Sequence, residues 1–479
     1  MKCKAKREFI GVSLGRYRGV MSGNMPFGFG FGFSDDKQSG DDKQSGGGAP
    51  GFDMNSLGAA LQQLGQMMQN PGTDTGPVNW EMVRDVARQQ LAAAGDPSVP
   101  DSEHRAFVES VRLADLWLNE ATTFPATAAT PITWCRSEWL MATLPMWQQY
   151  IEPIAEQMQQ VMGSSLSGAG AGAVSAEDLN AAIPEQLRSM FPGGLPEEMG
   201  PMMSSMMSSM MGPMMGMMKQ LGAAAFSTQL GQALAGLARE VVGAGDIGIP
   251  LTSESTCALV PRNIADLGEG IGVSADDIRL YLALRESAHE RLFGHVAWLR
   301  PRFIGAIEAY SKGIRIDNSR MTEAMEGLDM SNPEALQQML ASGQLQPEDS
   351  PEQRVARARL ETLLALVEGW VDDVVDTAIA GRMPAASQLR ETMRRRRAAG
   401  GPAETMFSTL IGMELRPRAL REAATLFAAM RSTISVEARD GLWGHPDLLP
   451  DADDLTDPLG FIESSQSRDG ETEEPEDVG

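Results

Sequence analysis

The residues with the most chemical potential sit in LALRESAHERLF, 282–293, where Glu286 and His289 keep the spacing of the second half of an H-E-x-x-H zinc motif. Positions i and i+4 of a helix share a face, so the complete motif aims two ligands at one metal and holds its glutamate beside a bound water. Here Arg285 stands where the first histidine would be. A guanidinium is permanently charged and only donates hydrogen bonds, so it cannot ligate zinc. The apolar stripe Ile278, Tyr281/Leu282, Leu292/Phe293 continues through 285 and 288/289, which turns Arg285 and His289 inward and leaves Glu286 on the flank. An unpaired buried charge is very costly, so the inward arginine requires a carboxylate, ideally a bidentate one.

A second helix supplies it. In ALVEGWVDDVVD, 365–376, the stripe Leu360, Leu363/Leu364, Val367, Val371, Val374/Val375 sets Glu368 beside Leu364 and Val371, with Asp372 one turn further on. Two readings follow. In the first, a metal is held by His289 and Glu368, with Glu286, His295 or Asp372 as a further ligand, and Glu286 takes a proton from the attacking water. His295 lies about 240° round the helix from His289 and can help only if the helix ends before it. In the second, Arg285 is a fixed cation in the metal's position, paired with Glu368 and also with Glu286. The fold then survives without the metal, and the chain acts as a scaffold or binding protein.

The elements around these residues read as mainly α, with few or no strands. Helices are expected at 80–94, 102–121, 137–162, 229–242, 274–293, 298–312, 332–342, 350–380, 384–398, 402–412 and 417–432, after a first one near Met54. Pro145 and Pro153 are expected to kink or break the third of the listed stretches, 137–162. Ser274 and Ser350 are placed as N-caps, the latter with Pro351 in the first turn and Gln353 able to reach back. CALVPRNI, 257–264, reads as a short strand or extended connector. The organisation expected is a Gly-rich disordered leader over 1–53, with tandem DDKQSG and an alternative start at Met21 or Met25. A helical domain over 54–462 follows, with a linker at 163–174, and then an acidic disordered tail over 463–479. The Met-rich segment 196–222 has the length of a membrane span, but serines, glycines and Pro213 interrupt it. It reads as a pliable packing element or soft contact surface, without stable membrane insertion.

Composition narrows the partners. A net charge of -24 over 479 residues argues against nucleic acid or an anionic membrane. Cys3, Cys135 and Cys257 are far apart, which fits a reduced, cytoplasmic setting. The run Arg394–Arg397 reads first as a solvated helix end, with a carboxylate or phosphate-like partner as the sharper alternative.

The blocks LYLALRESAHERLFGHVAWLRPRF (280–303), EAYSKGIRID (308–317), LALVEGWVDDVVD (364–376), RRRRAAGGPAETMFSTLIGMELRPRALREAA (394–424) and LWGHPDLLPDADDLTDPLGF (442–461) resemble the actinobacterial zincin-like metallopeptidase family. The resemblance spans about 25 to 462 and implies a zinc-dependent hydrolase acting on a peptide or protein. Carried over by position, it makes Glu286 the general base, His289 a zinc ligand and Glu368 a further ligand. Arg285 is where this chain departs from relatives that keep the full H-E-x-x-H, and the departure bears directly on zinc and on proteolysis. Substrate and oligomeric state are not legible in the sequence.

Overall fold

The structure is a computed structural model that describes residues 76–171, 200–314, 350–398, 404, 406–408 and 419–471. The leader, the helix near Met54, the 332–342 helix, most of 402–412 and the last residues of the tail lie outside the described residues. In chain order the helices are α1 (Trp80–Ala93), α2 (Asp101–Leu118), α3 (Arg136–Ala171), α4 (Gly200–Ala238), α5 (Pro261–Gly268), α6 (Ala275–His295) and α7 (Leu299–Lys312). They continue with α8 (Pro351–Ile379), α9 (Ala386–Ala398), α10 (Leu420–Thr433), α11 (Val436–Gly441) and α12 (Pro458–Glu471). Two strands of two residues each, β1 (Ile132–Thr133) and β2 (Ala258–Leu259), pair in parallel, so the expectation of a mainly α fold holds.

The central helices begin where side chains can satisfy their free N–H groups. Ser274 accepts the N–H of Asp277 at the start of α6, with Asp276 and Asp277 in its first turn. At α8, Ser350 and Gln353 form a reciprocal capping box, and Pro351 occupies the first turn. Around them pack α2 and α8 against α6, and α7 and α10 against α8.

Three local expectations need correction. Pro145 and Pro153 do not break α3, which is helical through Ala171 and so runs through most of the expected 163–174 linker. Each internal proline costs about 3 kcal/mol. In α3 the buried face of Trp139, Trp147, Tyr150, Ile151 and Ile154 outweighs that cost. The tail is helical to Glu471, beyond the limit set at 462, because Phe461 and Ile462 anchor the first turn of α12 in the core. Finally, α6 is not buried along one stripe: every residue from Tyr281 to Leu292 is buried. Its outer face carries charges that find partners inside the protein. Arg291 donates to the Phe124 carbonyl at 3.0 Å and to Asp115 Oδ1 at 2.9 Å, and Glu290 accepts from Thr127 and Ser255.

Candidate functional site

The α6–α8 contact brings the predicted residues together. Arg285 Nη2 donates to Glu368 Oε2 at 2.7 Å and Nη1 to Asp372 Oδ1 at 2.5 Å. The guanidinium therefore bridges two carboxylates one helical turn apart, with all three side chains buried. His289 lies between its own helix and α8: Nδ1 is 2.9 Å from the Arg285 carbonyl and Nε2 is 3.0 Å from Glu368 Oε1. Both ring nitrogens thus face acceptor atoms. Two further arginines enter from α9. Arg397 donates to Glu368 Oε2, and Arg394 reaches Asp372 Oδ2 at 3.1 Å. Burial works against ionisation of Glu368, but Arg397, His289 and Arg285 outweigh it and hold its carboxyl well below the usual carboxylate range. Arg285 is likewise lifted above its ordinary value: burial opposes its charge, and Asp372 and Glu368 more than compensate.

The arginine run is therefore not a solvated helix end. Arg394 and Arg397 neutralise the site, and Arg396 donates to both oxygens of Asp246 at 2.8 Å. Only Arg395 stays on the surface, paired with Glu391 of its own helix. The sharper alternative, a carboxylate partner, describes the other three.

Glu286 is buried, not flanking, and its partner is not Arg285. Its Oε1 accepts the N–H of Ala244 at 3.0 Å and of Gly245 at 3.1 Å, and its Oε2 accepts that of Gly245 at 3.0 Å. Burial pushes its carboxyl up to about 8 against the pull of these donors. The loop that supplies them, VGAGDIGI at 242–249, is the functional element that sequence reasoning missed. A Cβ at Gly245 would meet His289 Cβ at 2.7 Å, and one at Gly248 would meet Glu368 Oε1 at 2.8 Å. Gly248 also has φ +81, which disfavours any other residue. The spacing of Gly243, Gly245 and Gly248 around Asp246 was the available signal, and it has a physical meaning: the backbone approaches the site too closely for side chains.

His295 is not part of the cluster. It lies exposed at the end of α6, with Nδ1 2.8 Å from the Arg291 carbonyl and its ring stacked on Phe124. Asp372 does join the site, as Arg285's second acceptor. Next to Glu286 and His289 a small cleft is lined also by Gly245, Ser255, Glu290 and Arg300. Its volume of about 20 Å³ is room for a water molecule.

Zinc is the cation that the resemblance implies, and the donor set does not fit it. Glu368 and Asp372 are each covered by two guanidinium groups, and neither His289 nitrogen is directed at open space. Among the described residues no group of three or more His, Cys, Asp or Glu side chains is arranged to hold a metal ion.

Fold and site together define a mainly helical protein with a charged centre, built from two buried helices and closed by a glycine loop and an arginine-bearing helix. The chain belongs to the zincin-like metallopeptidase family, whose sequence profile matches residues 78–462. The crystal structure of a candidate hydrolase with a novel fold from Chloroflexus aurantiacus is similar in fold, with a TM-score of 0.54 at 18% identity. The match covers 81% of this chain and 99% of that one. No curated protein matches the chain. Among the described residues no helix is long and apolar enough to cross a membrane.

Proposed function

We propose that this chain is a zincin-like protein in which the Arg285 guanidinium occupies the metal's position, and that it acts as a binding or scaffold member of its family. One observation carries the reading: Arg285 bridges Glu368 and Asp372 at 2.7 and 2.5 Å. A fixed cation at that point satisfies the carboxylates that a metal would need, and it cannot polarise a carbonyl as a Lewis acid does. The size of the cleft supports the same conclusion, because 20 Å³ does not admit a peptide. A cytoplasmic setting accords with Cys135 and Cys257, both free thiols.

A second reading is peptide-bond hydrolysis with Glu286 as general base and His289 and Glu368 as metal ligands. Membership of a metallopeptidase family and the shared cleft position of Glu286 and His289 favour it. It requires Arg285 and Arg397 to leave Glu368 and the His289 ring to release its acceptors.

Metal analysis of full-length protein, purified without chelator and dialysed against micromolar zinc, separates the two. The first reading expects far less than one zinc per chain and no change on His289→Ala. Stoichiometric zinc that disappears in both His289→Ala and Glu368→Ala would overturn it in favour of the second.

A further inference from the structure

A second cavity, of about 530 Å³, opens beside the C-terminal end of α6 and shares no lining residue with the cleft at Glu286. Its size is that of a small-molecule site. Aromatic walls come from Phe124, Trp298 and Trp443. These rings are held in place. Trp443 stacks on Trp298 at 6.2 Å and on Phe427 at 6.1 Å, and Trp298 Nε1 donates to the Trp443 carbonyl at 2.9 Å. Trp370 meets Trp443 edge-on.

The polar groups of the lining have one sign. Neither lysine nor arginine lines the cavity, whereas Glu437 and Asp440 do. The charge of Asp440 is used inside the protein: it accepts from Thr122, from the Thr123 N–H and hydroxyl, from Trp370 Nε1 and from Arg439. Glu437 is exposed, and its own backbone N–H and the Ser435 hydroxyl favour the ionised carboxylate. It is the uncompensated charge of the lining. His295 also lines the cavity. Its Nδ1 faces the Arg291 carbonyl, which can only accept, so Nδ1 carries a hydrogen.

We propose that this cavity binds a flat organic cation of the aromatic amidinium or guanidinium type, its face on Trp298, which the buried Trp443 backs, and its positive group on Glu437. Aromatic faces attract cations, an attraction that strengthens when the cation is partly desolvated. An anion would find no cationic side chain in the lining, and a neutral ring would leave the Glu437 charge unused. The same chemistry is available from a free small molecule and from the arginine side chain of a peptide.

The test uses the full chain at pH 8 with benzamidine, its neutral isostere benzamide and N-acetylarginine amide, read by calorimetry and by tryptophan fluorescence. Benzamidine is expected to bind saturably and about tenfold tighter than benzamide, a preference that Glu437→Gln removes. Gly441→Leu blocks the cavity and should abolish both. Gly441 has φ -59 and ψ -24, and a Cβ there meets no atom within 4 Å, so the variant keeps its fold. Tighter binding of N-acetylarginine amide than of benzamidine also upholds the proposal and identifies a peptide source. No saturable binding of either cation at millimolar concentration overturns it, as does equal binding of benzamidine and benzamide.

Discussion

The Arg285 guanidinium lies 2.7 Å from the Glu368 carboxylate, joining the middle of α6 to the middle of α8 where both helices are buried. The pair ties the two central helices together through charge, and Asp372, Arg394 and Arg397 extend it into a network. Removing one partner of a buried pair leaves the other uncompensated, which typically costs about 3–5 kcal/mol. Arg285→Ala should lose about 3 kcal/mol, the low end, because Arg397 and Arg394 still neutralise the two acids. Urea unfolding at pH 7 measures it, and a loss under about 1 kcal/mol would mean the bridge is not holding the helices.

Completing the histidine pair is expected not to be enough for metal binding. Arg285→His restores H-E-x-x-H, but Arg397 still covers Glu368. The single variant should take up no zinc, whereas Arg285→His combined with Arg397→Ala should take up about one zinc per chain. Elemental analysis after dialysis decides it. Zinc in the single variant would show that Arg397 yields readily.

The glycine loop has its own prediction. Gly248→Ala meets both a positive φ of +81 and the Glu368 carboxylate, and Gly245→Ala meets His289. Each should destabilise by about 1–3 kcal/mol, more than the entropy that alanine recovers in the unfolded chain. Thermal melts of the two variants check this, with Gly270→Ala as a control for positive φ alone, since no atom lies near its Cβ.

Two carboxyls should leave opposite marks on the pH profile. Glu286 is raised from 4.5 to about 8, so between those values the folded state holds a proton that the unfolded state has lost. Stability therefore falls as pH rises through that window, by at most about 1.4 kcal/mol per pH unit, and levels above it. Glu286→Gln should flatten this slope. Glu368 is depressed, so its contribution is complete above 4.5 and is lost as pH falls below that value; Glu368→Gln should flatten the acid limb instead. Melting temperatures from pH 3 to 9 for the three proteins test both signs.

The start of α8 offers a local check. Ser350→Ala removes an acceptor for the Gln353 N–H and opens the capping box, and should cost about 1 kcal/mol in urea unfolding.

Periodicity and cap residues made most of the helices legible, and the same stripe that defined α6 and α8 turned Arg285 toward Glu368. Its limit was α6 itself. A stripe reports which face is apolar, and it could not show that Glu286 and Arg291 are buried as well, because their partners are a backbone loop and a carbonyl far away in sequence. The Arg394–Arg397 run failed in the same way: four arginines on a helix end look solvated until α9 is laid across α6.

By itself, then, the sequence determined the helical class, the ends of its best-capped helices, and the fact that an arginine stands where a zinc ligand would be and needs an acid. Those properties depend on residue type and on spacing within one element. Tertiary structure alone decided that two arginines from α9 share those acids and that the 242–249 loop brings the N–H groups of Ala244 and Gly245 onto Glu286 and Gly248 against Glu368. It also decided that Trp298 and Trp443 face a cavity with Glu437. Such contacts join residues tens to hundreds of positions apart, and only the packing of whole helices sets those distances.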